Sequence, residues 1–262
     1  MNISILLSDI YWVFWREMKR FTQQRARIMM AFIQPVVWLV LMGNMMSGLT
    51  NNPMAARMLG TGNYIDFMTP GIMIMTTLFG GVMGGTSIVW DRRLGFLNKM
   101  LSSPIHRAAI PLGKLLALGS QAMLQALIIV IIALCLGVHF VTGVPGVICL
   151  LLLSSLFGMI MGGISLSLAA VIKSMESLFA IVNFLTMPLM FTSNAMFPVS
   201  AMPAWLRVIA SGNPLTYAAG TMRTIATKGW ILDGIWPGVV ILCAMLIVTT
   251  TISIRMFHRS IS

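Results

Sequence analysis

Acidic side chains are nearly missing from this chain. Its 262 residues carry six of them: Asp9, Glu17, Asp66, Asp91, Glu176 and Asp233. Charged residues together make up 9% and hydrophobic ones 58%, with a mean hydropathy of +0.93. Soluble domains carry about 25% charged residues, so a water-soluble globular protein is excluded and an integral membrane protein is indicated. The acids fall outside the apolar runs or at their ends, and none forms a close pair for acid–base work. The three histidines, His106, His139 and His258, are scattered through connections and the tail. With no HExxH and no GxSxG, the sequence argues against an enzyme, and the absence of GxxxxGK[ST] removes a Walker A site for ATP. The three cysteines, Cys135, Cys149 and Cys243, fall in apolar runs at no metal-ligand spacing. They predict buried structural thiols, with no disulfide and no metal site. The apolar runs also lack the mid-membrane ionisable group that an ion-coupled carrier keeps, so energy for any transport is expected from a partner.

Basic residues are plentiful by comparison, and the 17 lysines and arginines give a formal net charge of +11. They flank apolar runs, as topology signals do, and do not suggest a nucleic-acid surface. Residues 1–27 read as an interfacial amphipathic helix and a cytoplasmic N-terminus. Ile3, Leu7, Ile10, Phe14, Met18 and Phe21 form a helical stripe, Asp9, Arg16 and Arg20 fall on another face, and Tyr11, Trp12 and Trp15 add aromatic anchors. The apolar part precedes the basic part, the reverse of a signal peptide.

No Asp, Glu, Lys or Arg occurs in 28–56, 67–90, 115–172, 177–206 or 234–254. A crossing takes about 20 residues, and the longest gap breaks between Gly137 and Gly146. Six spans are therefore predicted, at about 28–48, 69–90, 115–137, 147–172, 177–198 and 235–256. Gly80, Gly81, Gly84 and Gly85 in the second, with Gly158 and Gly162 in the fourth, predict closely crossing helices. Thirteen lysines and arginines fall on the side of the N-terminus, the 91–114 loop, Lys173 and the tail, against four on the other side. The positive-inside rule then puts both termini in the cytoplasm. Segment 199–234 is too apolar for a simple loop. Pro198, Pro203 and Pro214 punctuate it, and Ala204–Ile209 and Leu215–Thr224 each read as a short helix. The pair suits the outer interface or a re-entrant hairpin, and a loop flat on the surface fits the same pattern.

Asp91–Lys114, DRRLGFLNKMLSSPIHRAAIPLGK, interrupts two long apolar runs with Arg92, Arg93, Lys99, Arg107 and Lys114. Apolar residues between the charges recur at helical spacing until Ser102-Ser103-Pro104, as in a short amphipathic helix, though a membrane-surface loop has the same composition. The ordered positions Asp91, Arg92, Gly95, Phe96, Leu97, Met100, Leu101, Pro104, Ile105, Arg107, Gly113 and Lys114 resemble the signature loop of ABC-2 type transporter permeases, in their drug-export and nodulation-factor-export branch. A second similarity runs through Phe197, Pro198, Pro203, Trp205 and Leu206, then Asn213, Pro214, Leu215, Thr216, Tyr217 and Arg223.

The resemblance implies an all-α transmembrane domain over 28–262, with a cytoplasmic coupling helix and an external helical hairpin before the last span. It implies a multi-pass permease subunit in a prokaryotic plasma membrane, carrying hydrophobic or amphipathic cargo outward. Its expected partners are a cytoplasmic ATP-binding subunit, which holds the ATP and Mg, and a second permease copy, identical or related, within membrane lipids. Arg92, Arg93, Gly95, Phe96, Leu97, Met100, Leu101, Pro104 and Arg107 would form the contact with the ATPase, and the 197–223 residues an external gate or plug. A lipid-linked saccharide is the alternative cargo, and a stand-alone channel or ion-coupled carrier the alternative class. Relatives carry acids near positions 93 and 98–99, where this chain has Arg93, Asn98 and Lys99, so the partner groove is expected to be unusually acidic. On this reading Leu97→Asp or Met100→Asp abolishes ATPase activity in the co-purified complex. Neutralising Arg93 and Lys99 weakens assembly at low salt, where exposed charges are least screened.

Overall fold

The computed structural model describes residues 3–50, 64–172, 174–195, 199 and 202–259. Among the described residues every regular element is helical. Helix α1 (Ile3–Gln23) leads at Gln24 into α2 (Arg25–Thr50), and α3 (Tyr64–Val82) follows. A single 3-10 turn, Met83–Gly85, joins α3 to α4 (Thr86–Arg93), and the short helix α5 is Phe96–Leu101. Two long helices come next, α6 (Ala109–Cys135) and α7 (Gly143–Val171), then α8 (Met175–Phe191). The late hairpin is α9 (Ala204–Ser211) and α10 (Pro214–Arg223), and a π turn at Thr224–Lys228 leads to α11 (Leu232–Arg259).

Among the described residues, four stretches are long and apolar enough to cross a membrane: Tyr64–Arg93, Ala109–Cys135, Gly143–Val171 and Leu232–Arg259. Helix α8 is a shorter apolar helix of 17 residues, and α2 has 26 residues. The expected fifth span therefore stops at Phe191 instead of reaching 198, because Thr192–Ala195 turn the chain. Residues 196–198 lie outside the described residues.

The core is the contact of α3, α6 and α7, with α11 laid along α7 and α10. Glycine decides the central crossing. A β-carbon at Gly81 would sit 2.8 Å from Met161 Cβ and 2.9 Å from the Gly158 carbonyl oxygen. The small-residue positions of α3 and α7 thus meet each other, and van der Waals packing replaces the hydrophobic drive that helices lack in lipid. Where the 3-10 turn interrupts the backbone ladder, Ser165 of α7 supplies the missing partner. Its Oγ accepts from the Gly85 N–H at 3.0 Å and donates to the Val82 carbonyl.

Three expectations need correction. The 91–114 loop is shorter at both ends, because α4 runs to Arg93 and α6 begins at Ala109, which puts Lys114 inside a helix. Charge marked the loop in the sequence, yet a paired charge need not end a helix. Cys135 and Cys243 are exposed, not buried, and all three cysteines are free. In α1, Val13, Glu17 and Phe21 are buried, while Leu7, Tyr11, Trp12 and Trp15 face outward. The face carrying Arg16, Glu17 and Arg20 turns toward the rest of the protein, where it finds countercharges that the linear sequence does not reveal.

Gly81→Val should cost at least about 1–3 kcal/mol, the range for overpacking a filled contact. Thermal unfolding in detergent measures this, with Gly212→Ala as control, since a β-carbon there meets nothing nearer than 3.6 Å.

Candidate functional site

The centre of the site is the Lys114 ammonium, which is 1% exposed. Burying a lone cation in an apolar bundle is prohibitive, so it must be paired and hydrogen-bonded. Nζ donates to Asp91 Oδ2 at 2.7 Å, Glu17 Oε1 at 2.8 Å and Ser87 Oγ at 3.0 Å. These bonds draw α1, α4 and α6 together. Arg16 Nη2 donates to Asp91 Oδ2 at 2.9 Å and pairs with Glu17, and Arg20 Nη1 donates to Asp91 Oδ1 at 3.1 Å. Backbone approach is close as well: a β-carbon at Gly113 would fall 2.7 Å from Val13 Cβ, so the glycine lets α1 lie against α6. Burial alone would raise the Glu17 carboxyl, but Lys114 and Arg16 outweigh it and hold the group down at about 2.

The same arginine carries the cluster onto α5. The Arg16 guanidinium stands 4.5 Å over the Phe96 ring, and its Nη1 donates to Met100 Sδ at 3.3 Å. Asp9 Oδ2 accepts the His106 N–H at 3.0 Å, holding the far end of the loop to α1 as well. Gly95, at φ +69°, makes the left-handed turn between α4 and α5 that a side chain would resist.

The loop residues divide by face. Leu97 and Met100 are buried in the chain's own core, and Leu101 is half-buried. Arg93, Leu94, Phe96, Lys99, Pro104 and Arg107 are exposed, Leu94 at 70%. Arg92 is half-buried: its guanidinium donates to the carbonyls of Ala169, Ala170 and Ile172 and so covers the C-terminus of α7.

At the opposite end, Asn213 caps α10 through the Leu215 N–H at 2.9 Å and donates to the Leu189 carbonyl at 2.7 Å, tying the hairpin to α8. Pro214 takes the first turn, where its missing N–H costs nothing. Tyr217 donates its hydroxyl to the Ser211 carbonyl at 2.6 Å, and Pro203 precedes α9. Arg223 is buried 3.7 Å over the Phe67 ring and donates to Phe67 O, Asn194 Oδ1 and Ala195 O. Trp205 is 66% exposed and apart from this cluster. Phe197 and Pro198 lie outside the described residues. No group of three or more His, Cys, Asp or Glu that could hold a metal ion occurs among the described residues.

A family model described as ABC-2 type transporter matches residues 8–226, from the first turns of α1 through the hairpin. The chain belongs to the ABC-2 type transporter family. It is 31% identical over 226 residues to a chain named as a transport permease, ycf38, of Porphyra purpurea, covering 86% of this chain and 73% of that one. It is 24% identical over 229 residues to the daunorubicin resistance ABC transporter permease protein DrrB1 of Streptomyces coeruleorubidus, covering 87% and 77%. ABC-2 membership and the apolar helices make this a membrane-embedded transport component.

Sequence reasoning missed Glu17, Ser87, Asp9 and the inward role of Lys114. A signal existed. Glu17 and Asp91 are two of only six acids in a chain of net charge +11, which invites a search for their cations.

Lys114→Met leaves two carboxylates uncompensated by their buried partner and should destabilise the protein by about 3–5 kcal/mol. Lys114→Met combined with Glu17→Gln should recover part of that loss in thermal unfolding, since fewer unpaired charges remain. Glu17 is held below its unfolded value of 4.5, so its contribution is complete above that pH and is lost as pH falls through about 2. Glu17→Gln should flatten the stability–pH curve in that window.

Proposed function

We propose that this chain is the permease subunit of an ATP-driven exporter of hydrophobic or amphipathic, drug- or lipid-like cargo. A separate cytoplasmic ATP-binding subunit hydrolyses ATP and pushes on α5. The observation that carries this reading is the two-sided character of the 93–107 segment. Its inward side, Leu97 and Met100, is fixed in the core and to Arg16, whereas its outward side offers Leu94 and Phe96 amid Arg93, Lys99 and Arg107. An exposed apolar knob ringed by cations on a rigid backing suits a partner groove with an apolar floor and an acidic rim. The daunorubicin-resistance name of one relative supports cargo of the drug type.

In this reading six helices cross the membrane, α2, α3–α4, α6, α7, α8 and α11, and both termini lie in the cytoplasm. A second permease copy, in the simplest case identical, completes the path, and ATP-driven closure of the ATPases moves the two halves apart or together. The Arg223 cluster holds the hairpin over the outer end of α3.

The burial of Leu97 and Met100 changes the appropriate experiment, because acids there would disrupt the chain's own core. Leu94→Asp is the discriminating substitution. Expected is a folded permease with wild-type thermal stability that loses at least about tenfold of the cargo-stimulated ATPase rate in the reconstituted complex. A wild-type rate, or transport without any ATP-binding subunit, would overturn the reading.

A further inference from the structure

On one flank of the bundle α7 and α11 part, leaving a cleft of about 380 Å3 lined by Ile164, Leu168, Val171, Thr249, Ile252 and Met256. Its two hydroxyls are already used. Ser167 donates to the Gly163 carbonyl at 2.7 Å, and Thr249 to the Met245 carbonyl at 2.9 Å. The walls therefore present hydrocarbon to whatever enters. The cleft opens outward, with Val171 63% and Ile252 43% exposed.

One end of this cleft is cationic. Arg259 follows Ile252 by seven residues and Met256 by three, so it continues the same stripe of α11. Arg255 lies one turn after Ile252. Both arginines are exposed, and neither makes a hydrogen bond or ion pair with the described residues. On the opposite wall Ile172 lines the cleft and accepts from Arg92, which adds a third guanidinium at this end.

We infer that the cleft is a binding site for an anionic phospholipid, with an acyl chain between α7 and α11 and the phosphate on Arg259 beside Arg255. Hydrocarbon alone would fill the cleft with any lipid. The guanidiniums, which match phosphate oxygens in charge and geometry, make it select an anionic headgroup. Placing that lipid in the cytoplasmic leaflet rests on the orientation proposed above, whereas the binding itself does not.

Native mass spectrometry of the purified full-length chain, titrated with dioleoylphosphatidylglycerol or dioleoylphosphatidylcholine, tests this without any ATP-binding subunit. Failure here therefore leaves the coupling reading untouched, and failure of that reading leaves this result standing. Each arginine near an anionic lipid contributes about a fivefold gain, so Arg255→Gln with Arg259→Gln should weaken phosphatidylglycerol binding about 25-fold and leave phosphatidylcholine unchanged. Ile252→Trp, at a position open enough to accept the larger ring, should fill the cleft and weaken both lipids. Excess inorganic phosphate should not displace phosphatidylglycerol. The inference is overturned if the arginine variant binds phosphatidylglycerol like wild type, if Ile252→Trp binds either lipid unchanged, or if phosphate alone competes. Conversion of a wild-type dimer to monomer by Ile252→Trp would assign the cleft to a second copy instead.

Discussion

A single ammonium group organises the end of the molecule that carries α5. Lys114 is fully buried in α6, and each of its N–H donors is engaged by Asp91, Glu17 or Ser87. Such a cluster contributes little net stability over apolar packing, because desolvation offsets most of its Coulomb attraction. Its contribution is positional. Removing any one member strands the others in a low-dielectric interior, so α1, α4 and α6 hold one relative arrangement or lose several kcal/mol. Arg16 then extends that arrangement to Phe96 and Met100, and the Asp9 bond to the His106 amide extends it along the loop. Helix α5 is consequently mounted on α1 as much as on α4 and α6, which flank it.

The other end of the bundle uses the same device with opposite economy. Arg223 has no carboxylate partner among the described residues and is satisfied by carbonyls and the Phe67 ring. Phe67 and Asp91 are separated by 24 positions along α3 and α4, about 36 Å at the helical rise of about 1.5 Å per residue. The two guanidinium and ammonium clusters thus bracket a stretch of about membrane thickness. Between them lies apolar packing, with the glycine crossing of α3 on α7 and the 3-10 turn stitched by Ser165. That turn lies close to the Lys114 cluster and next to the helix leading into α5.

How much of this was legible in the sequence depends on the range of the interaction involved. Helices α9 and α10 were placed by Pro203, Asn213 and Pro214, because caps and prolines act within a few residues. The core helices followed from charge-free runs, and small-residue spacing marked α3 and α7 as closely packed without saying that they meet each other. What escaped was every feature set by partners far apart in the chain. Glu17 and Lys114 are 97 positions apart, and neither shows from its neighbours that it is buried. The inward turn of Leu97 and Met100 escaped for a related reason: a short amphipathic helix has an apolar face, but spacing does not say whether that face meets the chain's own core or a partner. Leu94, the most exposed apolar side chain there, belongs to the helical spacing in the sequence but precedes the helix itself, so its outward direction did not show.

Lys114 should thus make α1 and α5 move as one body. Double electron–electron resonance between spin labels at Lys19 and Asn98, both exposed, tests it most directly. The labels are placed in a background lacking Cys135, Cys149 and Cys243, in the permease–ATPase complex with and without ATP. With α1 and α5 held as one body, the distance distribution is narrow, ATP leaves it unchanged, and it broadens in Lys114→Met. A Lys19–Asn98 distance that shifts on ATP addition in the wild-type chain would contradict it.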